Sequence, residues 1–480
     1  MEWLQQSFSF VFIVNLVLAG FLIFLERRNV AATWAWLMVL LFLPGIGFLI
    51  YMLFGQKLIR RKLYKLEEGE FSRFIAFVKR QRRQLEHGTM RFRDPAMEDY
   101  SDMVHMNLVN DAAWFTQNNE VQLFAEGDSK FTALLRDIRQ AKDHIHLLYF
   151  IIKNDELGRT IVSELAAKAA DGVEVRLLYD AIGSSRLPKR FFAPLLRAGG
   201  QAEAFFPTRF PFINFRLNFR NHRKLAIIDG QSGYIGGFNI GQEYVGKGRM
   251  GFWRDTHLRL TGNAVHMLQA RFFLDWNVSS AKRMEELRRY FPPPSVTGKV
   301  GVQIVSSGPN SEKQQIKHVY LRMIYKAQKQ ILLQTPYFIP DDSMLTALKS
   351  AVMSGVDVRV MIPAKPDHKT VYFASYSYLG SLLSSGIRCY LYEKGFLHAK
   401  MMVVDGEIAS VGSANLDIRS LEINFECNAI LYDTATVSRL VELFETDLAH
   451  CREMTLEEYE SRPIPAKLTE SLMRLLSPIL

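Results

Sequence analysis

His222-Arg223-Lys224-Leu225-Ala226-Ile227-Ile228-Asp229 runs on to Gly236-Gly237-Phe238-Asn239. The pattern returns as His398-Ala399-Lys400-Met401-Met402-Val403-Val404-Asp405 with Gly412-Ser413-Ala414-Asn415. Both copies read H-x-K-x4-D-x6-G-[GS]-x-N. One such octet arises by chance in long chains, but two, each with its Gly and Asn in register, mark a duplicated site. The residues after each Lys run apolar, as a buried strand does. His and Lys, two apart, then project from one face of that strand. Asp229-Gly230 and Asp405-Gly406 close the strand with a turn. A second apolar run leads to the Gly-x-Asn corner, where a missing Cβ lets backbone approach a ligand. Giving up two apolar positions in a core strand, twice, needs a functional reason.

The surroundings repeat as well. The patterns predict helix 131–142, strand 144–152, helix 157–170 and strand 173–179, then helix 312–327, strand 331–339, helix 343–354 and strand 356–362. Gly172-Val173-Glu174-Val175-Arg176 and Gly355-Val356-Asp357-Val358-Arg359 are matched junctions. Each half is therefore a βα-rich unit, with Pro292-Pro293-Pro294 as the hinge between them.

The paired motifs resemble the HKD motifs of the phospholipase D superfamily. Nearly the whole chain is similar to the bacterial cardiolipin synthases of that superfamily. Trp34-Ala35-Trp36, Pro44-Gly45-Ile46-Gly47, Thr335-Pro336-Tyr337-Phe338-Ile339-Pro340 and the run from Gly412 to Ser420 carry that likeness. The resemblance implies an α/β fold: two tandem phospholipase D-like sandwich halves related by a pseudo-two-fold, after an N-terminal transmembrane helical hairpin. The divisions expected are 1–56 for the hairpin, 57–108 for a basic amphipathic linker on the membrane surface, 109–291 for the first half and 292–480 for the second.

The first 85 residues fit a membrane. Residues 8–25 and 30–54 are each close to the roughly 20 apolar residues a spanning helix needs, which predicts two transmembrane helices. Pro44-Gly45 and Gly47 suggest a kink or a re-entrant path in the second. Arg27 and Arg28 lie between the runs, while Lys57, Arg60, Arg61, Lys62 and Lys65 follow them, so both termini are expected in the cytoplasm. The net charge is +10 over 480 residues, and 57–83 alone supplies +7 of it. A polyanion is the implied partner, nucleic acid or an anionic bilayer. Leu58, Ile59, Phe71, Phe74 and Phe77 among those charges favour the bilayer.

Two further stretches interleave polar and aromatic residues. Between Phe206 and His222, Arg209, Arg216 and Arg220 alternate with phenylalanines, which suits lipid headgroups and acyl chains and would equally stack single-stranded nucleic acid. Lys365 to Tyr376 is similar. In the tail, Leu468, Leu472, Leu475, Leu476 and Ile479 recur at helical spacing and are expected to pack on the second half. Cys389, Cys427 and Cys451 form no disulfide framework and read as buried and reduced.

One His, one Lys and one Asn per copy make half a site. Facing halves gather His222, His398, Lys224 and Lys400 around one phosphate. The lysines and the Asn239 and Asn415 amides would hold its non-bridging oxygens, with Gly237 and Ser413 supporting them. A Ser hydroxyl can hold a phosphate oxygen and Gly cannot, so the halves should contribute unequally. One His attacks phosphorus; the other protonates the leaving alkoxide and later deprotonates the incoming alcohol. His222 is read as the nucleophile and His398 as the acid/base. Asp229 and Asp405 complete the catalytic motifs, as turn-holders rather than proton carriers. By resemblance, an acid of the opposite half orients each His: Glu426 for His222 and Asp255 for His398. No Cys or His lies at ligand spacing to either His, so neither a metal nor another cofactor is expected.

The reaction implied is transfer of a phosphatidyl group between two phosphatidylglycerol molecules, giving cardiolipin and glycerol. The partners expected are phosphatidylglycerol and anionic membrane lipid rather than nucleic acid. The place expected is the cytoplasmic face of the cell membrane, with a multi-pass anchor and with a homodimer among the open oligomeric states. A hydrolase of anionic phospholipids is the alternative, since the motifs do not say whether water or a lipid alcohol resolves the intermediate. A nuclease would not need the hairpin, and a scaffold would not need two histidines.

Overall fold

A computed structural model describes residues 30–43, 46–51, 68–207, 218–285, 287–295 and 298–477, with isolated positions 13, 17, 19, 20 and 55. The chain forms two compact units, Met1–Arg61 with Thr208–Phe219, and Lys62–Pro207 with Arg220–Leu480.

In the first unit, the described part of the second apolar run is two helices, Val30–Phe42 and Ile46–Ile50. The sequence led us to expect one spanning helix here. Thirteen residues rise only about 20 Å, short of the roughly 30 Å hydrocarbon core. Among the described residues no helix is long and apolar enough to cross a membrane. Pro44 explains the break, because it lacks an N–H and disfavours helical geometry at the residue before it. Gly47 brings the helices together: a Cβ there would lie 2.5 Å from the Val39 carbonyl oxygen. Trp36 meets the ring of Tyr51 edge-on at 5.3 Å, and Leu40 and Tyr51 are buried. Residues 8–12, 14–16, 18 and 21–25 of the first run lie outside the described residues, as do 57–67 of the basic segment and 208–217 of the arginine–phenylalanine stretch.

The second unit is built on one continuous 15-stranded sheet. At its centre Thr116–Phe124 pairs antiparallel with Val300–Ser307, and each half runs outward from there in matching order. The first half continues through His257–Thr261, Ser232–Gly236, Leu225–Ile228, His144–Tyr149, Glu174–Asp180 and Gln201–Phe205. The second continues through Glu426–Tyr432, Ile408–Gly412, Met401–Val404, Gln330–Gln334, Asp357–Pro363, Arg388–Tyr392 and an added edge strand, Cys451–Met454. The duplication therefore places both motif strands, Leu225–Ile228 and Met401–Val404, fourth in their half-sheets, counted outward from the central pair. Both are wholly buried, as apolar strands between helix-covered faces are.

Three expectations need revision. Part of the stretch assigned to a membrane-surface linker is core: Met97, Tyr100, Met103, Val104 and Leu108 are buried with Val305, Ile316 and Tyr432 of the second half. Phe74 and Phe77, expected to face lipid, lie against Trp114 at 6.1 and 4.3 Å between ring centroids. Their helix, Glu68–Glu86, is tied down by Gln81, whose amide bonds both the N–H and the C=O of Phe115. The strand expected over 331–339 ends at Gln334, and its continuation Phe338–Ile339 pairs instead with Leu416–Asp417; Pro336 has no N–H to extend the ladder.

The tail helix Ile464–Leu475 packs through Met473 on the second-half core, with Glu470 buried against Arg462 at 2.7 Å. It leaves Ile464, Leu468, Leu472 and Leu475 exposed. Cys389 and Cys427 are buried, with thiols that burial pushes up to about 12 and about 11, whereas Cys451 is only half-buried.

Candidate active site

Each motif strand is pinned at its far end by the motif aspartate. The Asp229 carboxylate accepts the backbone N–H groups of Lys142, Asp143 and His144 at 2.8, 2.8 and 2.9 Å. Asp405 does the same for Gln328, Lys329 and Gln330 at 2.8, 2.7 and 2.8 Å. Both aspartates take positive φ, +52° and +55°, which Asp tolerates in a tight turn. They stitch the motif strand to the start of its neighbour, and each lies seven positions along the chain from its His. The catalytic label given them with the motif does not suit this place. Asp229→Ala should cost about 2–3 kcal/mol of stability through lost charge-assisted hydrogen bonds, while kcat of the folded fraction changes little. Thermal unfolding measured beside kcat checks this.

At the other end, the halves pair with each other. Asn221 forms a parallel bridge with Phe425, and Gly395–Leu397 pairs parallel with Phe252–Arg254. The His222 N–H consequently donates to the Phe425 carbonyl at 2.9 Å, and the His398 N–H to the Arg254 carbonyl at 2.7 Å. In each case the acceptor is the residue just before an acid of the opposite half. That register carries the acid to the ring. His222 Nδ1 lies 2.9 and 3.1 Å from the two Glu426 oxygens, and His398 Nδ1 lies 2.6 Å from Asp255 Oδ2. With Nδ1 engaged in both rings, Nε2 is the nitrogen available for chemistry.

The two carboxylates are held differently. Glu426 also accepts the Ser413 hydroxyl and, at 3.2 Å, the Asn424 amide. Burial pushes its carboxyl up, but His222, Lys224 and the Ser413 bond outweigh burial and hold it below the usual range. Asp255 accepts the Thr256 N–H at 2.7 Å, and burial pushes its carboxyl up to about 6 against the pull of Lys400. Burial pushes His222 down to about 4 and His398 well below the usual imidazole value. Both imidazoles are thus pushed toward the neutral form in the free protein.

Lys224 and Lys400 are almost fully buried, and each ammonium donates to the carbonyl of its own motif His. Burial drives Lys224 well below the usual lysine range and Lys400 down to about 8. A positive Lys400 is present below that value and lost above it. We therefore expect kcat/KM to fall as pH rises through about 8, in a one-proton limb; a flat profile to pH 10 would contradict the role given to this cation.

The supporting residues expected to touch phosphate also make bonds within the protein. The Ser413 hydroxyl donates to Glu426 and accepts the Cys427 N–H at 3.0 Å. Gly237 is the counterpart that makes room: a Cβ there would lie 2.0 Å from Asp255 Oδ1. The halves are unequal because Ser accompanies Glu in one and Gly accompanies Asp in the other. Asn239 accepts the Ile151 N–H at 3.1 Å and donates to the Tyr244 hydroxyl at 2.7 Å, and Asn415 donates to Asp417 at 3.0 Å. Both amides brace the corner. Among the described residues no cluster of three or more His, Cys, Asp or Glu is arranged to hold a metal ion.

Sequence reasoning missed two buried ion pairs that fix the crossed register. Arg223, on the face opposite His222, reaches Asp275 at 2.7 Å, and Arg254 reaches Asp447 at 2.9 Å. An arginine between His and Lys in a buried strand was the available signal, since such a charge needs a partner.

A sequence family described as "Cardiolipin synthase, PLD-like domain" matches residues 134–249 and 320–448, and one described as "Phospholipase_D-nuclease N-terminal" matches residues 13–56. The chain is 50% identical over 474 residues to the major cardiolipin synthase ClsA of Bacillus subtilis, covering 98% of each chain. It is 48% identical over 470 residues to a cardiolipin synthase of Oceanobacillus iheyensis, again covering 98% of each. The crystal structure of a phosphatidylserine synthase from Haemophilus influenzae superposes with a TM-score of 0.62 at 16% identity, over 80% of this chain and all of that one. That likeness is one of fold.

Proposed function

The chain belongs to the cardiolipin synthase family of phospholipase D-like proteins, and on that premise we propose that it makes cardiolipin by two displacements at phosphorus. The observation that carries the mechanism is the pair of crossed His–acid contacts. His222 Nε2 attacks the phosphorus of one phosphatidylglycerol, forming a P–N bond as the P–O bond to glycerol breaks. His398 gives its proton to the departing glycerol oxygen. The glycerol hydroxyl of a second phosphatidylglycerol then returns a proton to His398 and attacks phosphorus; the P–N bond breaks and cardiolipin leaves. Lys224 and Lys400 offset the charge that builds on the non-bridging oxygens.

The carboxylates support this division of roles. Glu426, anchored by Ser413 and Asn424 and kept ionised, fixes the His222 tautomer with Nε2 unprotonated and nucleophilic. Asp255 has raised proton affinity, and an arriving anionic phosphodiester raises that of the whole Asp255–His398 pair. That pair is suited to hold and return a proton near neutral pH.

The apolar segments before residue 57 anchor the protein in the cell membrane, and the basic residues after them favour a catalytic unit on the cytoplasmic face. The short helices Val30–Phe42 and Ile46–Ile50, closed on each other at Gly47, support a re-entrant course for the second run.

A product assay tests the function. Purified full-length protein in phosphatidylglycerol vesicles with EDTA should release cardiolipin and glycerol in equal amounts. Phosphatidic acid as the only lipid product would make the protein a hydrolase.

A further inference from the structure

Cardiolipin synthesis, on the reading above, brings a second phosphodiester to the site, because the acceptor lipid carries its own. The crossed histidines and buried lysines account for the reacting phosphate only. Arg220 stands two residues before His222. Between 220 and 224 the chain alternates: Asn221 and Arg223 turn to one side, where both reach Asp275, and Arg220, His222 and Lys224 share the other. Exposure along that face rises from 0% at Lys224 through 8% at His222 to a half-exposed Arg220. The face climbs out of the reaction centre, and Arg220 is one step above it.

Arg419 is brought alongside by the same backbone. The Phe425 N–H donates to the Arg220 carbonyl at 2.8 Å, and the Asn424 N–H donates to the Arg419 carbonyl at 2.9 Å. The two arginines thus bracket the segment that delivers Glu426; burial lowers the proton affinity of both, and the charge of Arg419 lowers that of Arg220 further. Asp180, the nearby acid, acts on both arginines through its charge, while its oxygens are held by backbone. It accepts the N–H groups of Ile182, Gly183 and Asn221 at 3.0, 2.8 and 2.8 Å. Arg220 Nη1 is shut from solvent yet has no hydrogen-bond partner among the described residues, and a buried donor left so calls for an acceptor. The duplicated half has nothing like it: two residues before His398 stands Phe396, buried against Trp253 at 4.7 Å. One flank is cationic and the other aromatic.

We propose that Arg220, with Arg419 beside it, binds the phosphodiester of the acceptor lipid while that lipid's glycerol hydroxyl attacks the phosphohistidine. Two residues of extended chain span about 6–7 Å, the scale of the single glycerol that separates the attacking hydroxyl from the acceptor's own phosphate. A planar guanidinium suits a phosphodiester. The consequence is selectivity: these arginines favour an anionic acceptor over a neutral alcohol bearing the same hydroxyl.

The test offers two acceptors at once in phosphatidylglycerol vesicles. Cardiolipin formation reports the lipid acceptor, and incorporation of labelled glycerol into phosphatidylglycerol reports the neutral one. Because both products come from one preparation, any unfolded fraction cancels in their ratio. Arg220→Gln should lower the cardiolipin-to-exchange ratio about tenfold or more, Arg419→Gln should lower it in the same direction, and Arg220→Lys should restore part of it. A ratio equal to that of the wild type in both Gln variants overturns the subsite alone. Wild-type protein that forms no cardiolipin overturns the proposed function, and the subsite with it.

Discussion

His222→Ala should abolish turnover, with kcat/KM falling by at least about 10⁴-fold, because it removes the nitrogen that takes phosphorus from the donor. His398→Ala should lose a comparable factor on phosphatidylglycerol, but the two failures differ in kind. A donor with a p-nitrophenol leaving group needs no proton delivered to it. His398→Ala should therefore release one equivalent of p-nitrophenol in a burst and then stall, because nothing deprotonates the incoming alcohol. His222→Ala should give no burst. The opposite pattern would exchange the roles of the two histidines, and full activity in either variant would end the two-histidine scheme.

The second large effect is expected at a residue that touches no substrate. Gly237→Ser copies into the first half what Ser413 is in the second. Yet the new Cβ would meet both Asp255 carboxylate oxygens at 2.0 and 2.4 Å, closer than any real contact. Asp255 would be driven off His398, whose Nδ1 it holds at 2.6 Å. Loss of an orienting acid costs about 10²- to 10⁴-fold in kcat, and we expect Gly237→Ser to fall in that range. Ser413→Gly removes only one of the bonds to Glu426, with Asn424 remaining, so its loss should be about tenfold. Steady-state kinetics on the pair checks this, and equal effects of the two changes would contradict the proposed division of labour.

Much of this was legible in the chain. Two copies of one spaced motif announced a duplicated α/β unit, and the sheet carries the two copies at equivalent places. His and Lys two apart in an apolar strand do share a face. What stayed hidden depends on groups that meet only across the fold. Nothing near Ser413 in sequence says that its hydroxyl is spent on Glu426, or that Gly237 is the space Asp255 fills. Asn239 and Asn415 have the right chemistry for phosphate, but nothing in the sequence says that they also bond Tyr244, Ile151 and Asp417. Met97 to Leu108 read as linker because charge surrounds it; its buried positions Met103, Val104 and Leu108 find their partners some 200 residues later, at Val305 and Ile316. Arg220 was visible as one arginine among several in an aromatic stretch. Its position two residues before His222 set it apart, since that spacing alone puts it on the reacting face.

The central claim is that His222 carries the phosphatidyl group between donor and acceptor. The most direct measurement is acid-free quenching of the protein during turnover of phosphatidylglycerol, followed by peptide mapping under conditions that preserve phosphoramidates. The account predicts a phosphatidyl adduct on the peptide containing His222, enriched in His398→Ala with the activated donor and absent from His222→Ala. An adduct on His398, or turnover to cardiolipin with no histidine adduct in any variant, would contradict it.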